Sequence, residues 1–332
     1  AFLRSDYVHI DAGTFETTDG SYSEDLGTCS SVACSSDKSQ TASGASIAAG
    51  WRNDRWNADI GTTPLGFEVV DWVGGVSYTG DWRQIGWTAT ASRRPISSSL
   101  LAFAGTKDPN TGTSWGGVRA TGVSLSGSYD QGGAHGVWSD LSVHQITGKN
   151  VEDNQRERLM AGYYYKLINE DNRRATIGLN SMLWHYQKDL SGYSLGQGGY
   201  YSPQQYFSLA VPVNYRRRTE NWSWQLGGSV SWSRSKTESQ RRYPLGGLIP
   251  TAYTNRNDVS ESSSSTGIGY TLQAQLERRL TSHWTLGAGV DIQQAEDYTP
   301  SHFQIYIRYS AGGWQGDLDI PPQPLTPYAD FK

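Results

Sequence analysis

The chain has 332 residues, including 38 Gly, 20 Tyr and 13 Trp, and its 28 basic and 32 acidic residues leave a formal net charge of −4. Charged residues are 18% of the total, below the roughly 25% of an ordinary soluble domain, so polarity comes from Gly, Ser, Thr, Asn and Gln. The balanced charge gives no basis for a nucleic-acid partner, and no run of about 18 apolar residues is present, which excludes a spanning helix.

Alternation of apolar and polar residues marks fourteen segments: 3–15, 44–52, 56–62, 68–79, 84–93, 116–129, 136–146, 156–168, 174–187, 206–217, 222–235, 266–280, 284–294 and 302–310. In one of them Ile268, Tyr270, Leu272, Ala274 and Leu276 interleave with Gly269, Thr271, Gln273, Gln275 and Glu277. A period of two predicts strands with one apolar and one polar face, and no segment shows a 3.6-residue period. Tight connections at 53–55, 80–83, 130–135, 169–173, 218–221 and 281–283 alternate with a set that includes long stretches at 17–43, 94–115, 188–205 and 236–265. Short turns on one side and long loops on the other predict an all-β fold, a transmembrane antiparallel β-barrel of the outer-membrane type with fourteen strands over residues 1–310.

A soluble β-sandwich also alternates, but its wet face would carry Lys, Glu and Arg, and its Trp would scatter at mid-strand. Here the polar face is Gly, Ser, Thr and Gln, while Trp51, Trp56, Trp82, Trp222 and Trp284 sit at strand ends beside short turns, as an interfacial girdle does. After the last strand, residues 311–332 hold Pro321, Pro322, Pro324 and Pro327, which favour an extended tail. Cys29 and Cys34 lie in a Ser/Gly/Thr/Asp-rich segment with no His nearby; a loop disulfide is expected and a metal site is not.

No Gly-x-Ser-x-Gly elbow and no His-Glu-x-x-His is present, so no catalytic residue is assigned and no cofactor is expected. His144 follows Asp140 by four positions on one strand face, too far for a direct bond within the strand, which leaves only a dyad assembled across strands. Alternation points Trp138, Tyr164, Trp184, Tyr186 and Tyr306 inward, with Phe15 a further candidate. It does the same for Arg52, Asp59, Asp71, Asp140, Arg158, Lys166, Arg216, Glu277, Asp291 and Arg308. This lining is mixed in sign, whereas a pore for an anionic polymer is expected to be mostly basic. A neutral, hydroxyl-rich polymer suits it: ring faces stack on pyranose C–H faces, and Gln293, Asp291, Arg308 and their neighbours exchange hydrogen bonds with hydroxyls. The alternative is that the inward rings only fill space.

Several stretches resemble the bacterial cellulose synthase operon protein C family. They are Gly198-Gly199-Tyr200-Tyr201-Ser202-Pro203-Gln204-Gln205-Tyr206-Phe207-Ser208, Arg242-Tyr243-Pro244-Leu245 with Leu248-Ile249-Pro250, Asp291-Ile292-Gln293-Gln294-Ala295, Ser301-His302-Phe303, and the tail from Gly313-Trp314 through Pro324. The resemblance covers most of the chain. It implies the outer-membrane channel domain of a cellulose secretion machine in a Gram-negative bacterium, serving export of a cellulose chain through outer-membrane lipid. The implied partners are an upstream periplasmic array of tetratricopeptide (TPR) repeats on the same polypeptide and the inner-membrane cellulose synthase complex. It also implies sixteen strands, so that either two N-terminal strands precede residue 1 or strands are merged within 17–43.

A barrel of that size leaks unless closed. Two closures are expected. One is the loop around Arg242, Tyr243, Pro244 and Pro250. The other is the 311–332 tail, hinged at Gly312-Gly313 and folded into the lumen, with Trp314 near the glucan. Tyr200, Tyr201 and Pro203 line the outer exit or brace the wall. The rival readings are an outer-membrane barrel enzyme of the acyltransferase or esterase type, and an exporter of a charged exopolysaccharide.

Overall fold

The computed structural model of the chain describes residues 1–15, 26–29, 38–251, 258–294 and 300–331. Each of the fourteen alternating segments holds a strand, although the strand in 68–79 begins only at Trp72. Five of them, β1 (Phe2–Phe15), β2 (Lys38–Arg52), β3 (Trp56–Thr62), β4 (Trp72–Trp82) and β5 (Ile85–Pro95), precede a two-residue ribbon, β6 (Thr106–Lys107). Then come β7 (Ser114–Tyr129), β8 (His135–Lys149), β9 (Val151–Asn169), β10 (Arg173–Tyr186) and β11 (Gln205–Arg218). The last four are β12 (Trp222–Thr237), β13 (Ser263–Arg279), β14 (Trp284–Gln294) and β15 (His302–Tyr309). They form one antiparallel sheet in chain order, with β6 paired only to β7.

The two-residue rhythm sorts the faces as expected. The outward rows are apolar and exposed: Ile268 is 75% and Phe303 72% accessible, and Leu125, Leu179, Val211 and Leu226 all exceed half or nearly so. Such rows in water would be a large unstable patch; against acyl chains they are favourable, and every strand but the two at the ends has its backbone groups paired on both sides. Trp51, Trp56, Trp82, Trp222 and Trp284 all lie exposed on this face at the short-turn end, completing the girdle.

Several strands run past their apolar alternation at the long-loop end. β2 starts at Lys38 and β9 at Val151, each adding polar residues (Ser39, Gln40 and Thr41; Glu152, Asp153 and Asn154). These stand beyond the lipid band, where the ladder continues but no apolar face is needed. Besides β6, the segment read as loop holds a single-turn helix, α1 (Leu100–Ala104), that the sequence expectation lacks. The Ser99 hydroxyl caps it by accepting from the Ala102 N–H at 3.0 Å, and Gly105 at φ +71° ends it. All five residues are buried, with Leu100, Phe103 and Ala104 packed beside Phe67.

Among the described residues β1 and β15 are not paired with each other. A cleft of about 1110 Å³ lies between them, lined by Val8 and His9 on one side, His302 and Gln304 on the other, and Leu325 and Tyr328 of the tail.

Candidate functional site

The inward face carries the aromatic groups the alternation selected and most of the charges. Asp71 is the exception: it lies just before β4, because the alternation read over 68–79 starts only at Trp72, and it accepts from Arg93, which β5 turns outward. Trp138, Gly162 and Asn180 are neighbours on β8, β9 and β10. The indole lies over Gly162, where a Cβ would sit 2.3 Å from its Nε1, so glycine is what allows the ring to lie against the wall. Tyr306 lies in the same way over Gly287 of β14, where a Cβ would come within 2.1 Å of its ring, and donates its hydroxyl hydrogen to Glu277 at 2.5 Å. Trp184 meets Tyr206 at a ring separation of 5.6 Å and Tyr186 at 6.1 Å. Tyr186 and Tyr306 face inward but are covered, at 3% and 6% accessible, whereas Trp138, Tyr164 and Trp184 are half-buried.

Many inward charges pair with each other. Arg158 donates to Asp140 at 3.0 Å, and Arg94 grips Asp59 through both terminal nitrogens at 2.7 and 2.6 Å. At the short-turn end Lys166 donates to Asp130 at 2.8 Å and Tyr164 donates to the same carboxylate. Partial burial pushes Asp130 upward, but the hydrogen bonds from Lys166, Tyr164 and the Gly132 N–H outweigh it and hold the carboxyl at about 2. Asp140 and His144 do not meet: His144 Nδ1 takes its contact from Arg156 at 3.2 Å while Asp140 holds Arg158. Asp291 faces inward with Oδ1 buried and unpartnered among the described residues, beside Gln293 one pleat along.

At the long-loop end, four stretches of chain collapse into one apolar cluster. Leu26 and Cys29 join Leu101, Trp115, Leu190, Leu195, Tyr200, Tyr243 and Ile249, over Tyr186. Tyr243 is wholly buried, and Gln197 Nε2 ties the 188–205 loop to the 236–265 loop by donating to the carbonyls of Arg241 and Arg242 at 3.1 and 3.4 Å. Arg242 clamps Asp258 at 2.7 and 3.0 Å, which lowers that carboxyl below its usual range. Pro244 packs near Gly196, and Pro250 is exposed. Tyr200 is 2% accessible, and burial raises its hydroxyl, offset in part by the bond from Asn154 at 3.1 Å. Tyr201 is exposed while Pro203 is buried, its carbonyl accepting from Tyr186 N–H at 3.1 Å. Cys29 is disulfide-bonded and fully buried. Cys34 and the Phe15 side chain lie outside the described residues.

The tail runs along inward-facing groups from the short-turn end to the long-loop end. Trp314 starts at the β13–β14 turn, where its N–H donates to the Ser282 carbonyl at 2.5 Å. Arg279 then donates to Gly316 O at 2.6 Å and Arg218 to Leu318 O at 3.3 Å. Higher up, Gln323 N donates to Glu277 at 3.0 Å, Arg308 donates to both Glu277 (3.2 Å) and the Gln323 carbonyl, and Gln304 donates to Leu325 O at 2.5 Å. Glu277 is completely buried beneath these contacts. Tyr328 ends the path: its N–H donates to Asp6 at 2.6 Å and its hydroxyl to Asp59 at 2.9 Å, while Ala329 packs at the α1 cluster. Burial and the bond to Asp59 raise the Tyr328 hydroxyl well above its ordinary value. Neither Arg94 nor Tyr328 was singled out by sequence; Arg94 follows Arg93 where alternation ends, and Tyr328 follows a proline run with no period. Tyr206 was also missed, although the alternation of β11 points it inward.

The cellulose synthase operon protein C C-terminus family matches residues 1–312. The chain is 62% identical to cellulose synthase operon protein C of Escherichia coli (strain K12), covering 99% of this chain and 29% of that one, and equally identical to the Salmonella typhimurium protein of the same name. The relative from Pseudomonas fluorescens is 32% identical over 99% of this chain. The chain thus spans less than a third of the relatives it matches. Among solved structures it overlaps a bacterial polysaccharide outer membrane secretin over 82% of its length, with a TM-score of 0.49 at 11% identity, a likeness too loose to build on. The sheet, its exposed apolar wall and its polar interior are therefore those of a member of the cellulose synthase operon protein C family, in its C-terminal outer-membrane β-barrel.

Proposed function

We propose that this barrel is the conduit by which a neutral β-glucan, cellulose, crosses the outer membrane. The observation that carries the reading, beside the family, is the inner wall. Its aromatic rings lie flat over glycine, and many of its charges neutralise each other in pairs, so an uncharged polymer meets ring faces and hydroxyls rather than a fixed field. Translocation is passive: the wall binds and releases successive sugars and performs no bond chemistry. The short turns face the periplasm, where the longer relatives leave room for an upstream TPR array that hands over the chain from the inner-membrane synthase.

Closure is the second part of the proposal. The loop cluster around Tyr243 and Tyr200 caps the outer end, and the tail held by Glu277, Arg308 and Asp59 occupies the bore. The tail is held by hydrogen bonds of roughly 0.5–1.5 kcal/mol apiece, more where charged, so an arriving polymer that replaces them can displace it, whereas the loop cap rests on a buried apolar cluster as well.

The test places a block in the path. Trp138→Cys, modified with a bulky thiol reagent in living cells, should stop cellulose secretion, while the unsubstituted chain given the same reagent continues. Unchanged secretion with the introduced thiol fully modified would show that the polymer travels elsewhere.

A further inference from the structure

The outward wall is not uniform. Over β12–β15 a groove of about 720 Å³ opens toward the membrane at the short-turn end. Its floor is Ala274 and Ala288; Trp224 and Leu226 form one bank, Val290 and Phe303 the other. The groove exists because two alanines on adjacent strands interrupt rows that are otherwise Leu, Ile, Val and Trp. A second outward groove of about 500 Å³, which includes Ala89 and Ala91, has no charged residue in its lining.

The first groove differs in what stands at its mouth. Arg217 of β11 pairs across from Trp224 and lines the groove. Arg278 of β13 pairs across from Trp222, its guanidinium 4.8 Å from that ring. Both arginines point outward, exposed, at the level of the tryptophan girdle, and neither makes an ion pair among the described residues. A cation on a lipid-facing wall is costly unless it reaches the headgroup layer and finds an anion there.

We propose that this groove is a binding site for one anionic glycerophospholipid of the facing leaflet. An acyl chain lies over Ala274 and Ala288, and the lipid phosphate is held between Arg217 and Arg278, whose planar forks suit bidentate phosphate contacts. The site is independent of the polymer in the lumen.

Protein extracted in detergent from its own outer membrane is stripped of lipid, titrated with phosphatidylglycerol or with phosphatidylethanolamine, and weighed by native mass spectrometry. The wild-type chain should retain phosphatidylglycerol in preference to phosphatidylethanolamine at one lipid per protein. The double variant R217Q/R278Q should retain it about tenfold less, from the loss of charge-assisted bonds. Ala288→Phe, which fills the groove, should lower retention of both lipids, and Ala89→Phe in the second groove should lower neither. Circular dichroism and heat-modifiable migration establish that each variant is folded. Equal retention of the two lipids by wild type, or retention by R217Q/R278Q equal to wild type, would overturn the site.

Discussion

At the scale of single residues, polar groups on this inner wall are held by partners that alternation does not reveal. It showed that Trp138, Tyr164, Glu277 and Arg308 point inward, because direction follows from period alone. It did not show that Glu277 would receive Tyr306, Arg308 and the Gln323 N–H together, because that depends on the register of β13 to β15 and on a tail with no period. Asp130 offers a pH test. Its carboxyl is held near 2 instead of 3.8, so its contribution is fully present above about pH 4 and disappears as pH falls through about 2. Asp130→Asn should therefore lower the thermal unfolding midpoint at neutral pH, and the gap to wild type should close as the pH approaches 2. A gap that persists unchanged at that pH would mean that the side chain acts through its shape and not its charge. Trp138→Ala removes a stacking surface worth about 1 kcal/mol and should weaken binding of a soluble cello-oligosaccharide about fivefold by tryptophan-quench titration. No change would show that the ring only fills space.

At the scale of elements, the fourteen strands and the two candidate closing segments could be named from the sequence, whereas the contacts that hold those segments could not. A strand writes its two faces into consecutive residues. A loop cluster that joins Leu26, Tyr200 and Tyr243 depends on contacts between residues far apart in sequence, and α1 is too short to show a helical period. The loop cluster has one anchor whose removal should matter. Asp108, 1% accessible, accepts from Thr28 N–H at 2.7 Å, from the Thr28 hydroxyl at 2.9 Å and from Thr111 N–H at 2.9 Å. Asp108→Ala leaves the two Thr28 donors buried without an acceptor, at a cost of roughly 2–3 kcal/mol. Hydrogen exchange at the Gly27 and Leu195 amides, which bond between residues 26–29 and the 188–204 loop, should accelerate correspondingly; unchanged protection would show that the loops are held by apolar packing alone. Two of the contacts that anchor the tail are those of Glu277 and Tyr328. Glu277→Gln with Tyr328→Phe should expose a cysteine placed at Gln323 to thiol reagents from the short-turn side, leaving barrel migration intact, whereas equal protection in both proteins would locate the anchorage elsewhere.

At the scale of the whole molecule, the same two-residue rhythm makes an apolar outer wall and a polar inner lining. The tryptophans at the short-turn end fix its depth, and the edges of β1 and β15, unpaired among the described residues, sit beside the tail, where Asp6 and Gln304 both bond to it. A neutral lining and a removable filling are what passive export of an uncharged polymer requires. The most direct measurement is single-channel current across a planar bilayer, made with the tail-released Glu277→Gln, Tyr328→Phe variant and cellohexaose added on the short-turn side. The account predicts a steady ionic current that cellohexaose interrupts in a concentration-dependent way and that an equally long acidic oligosaccharide interrupts far less. A barrel that carries no current once the tail is released, or whose current is indifferent to cellohexaose, would contradict it.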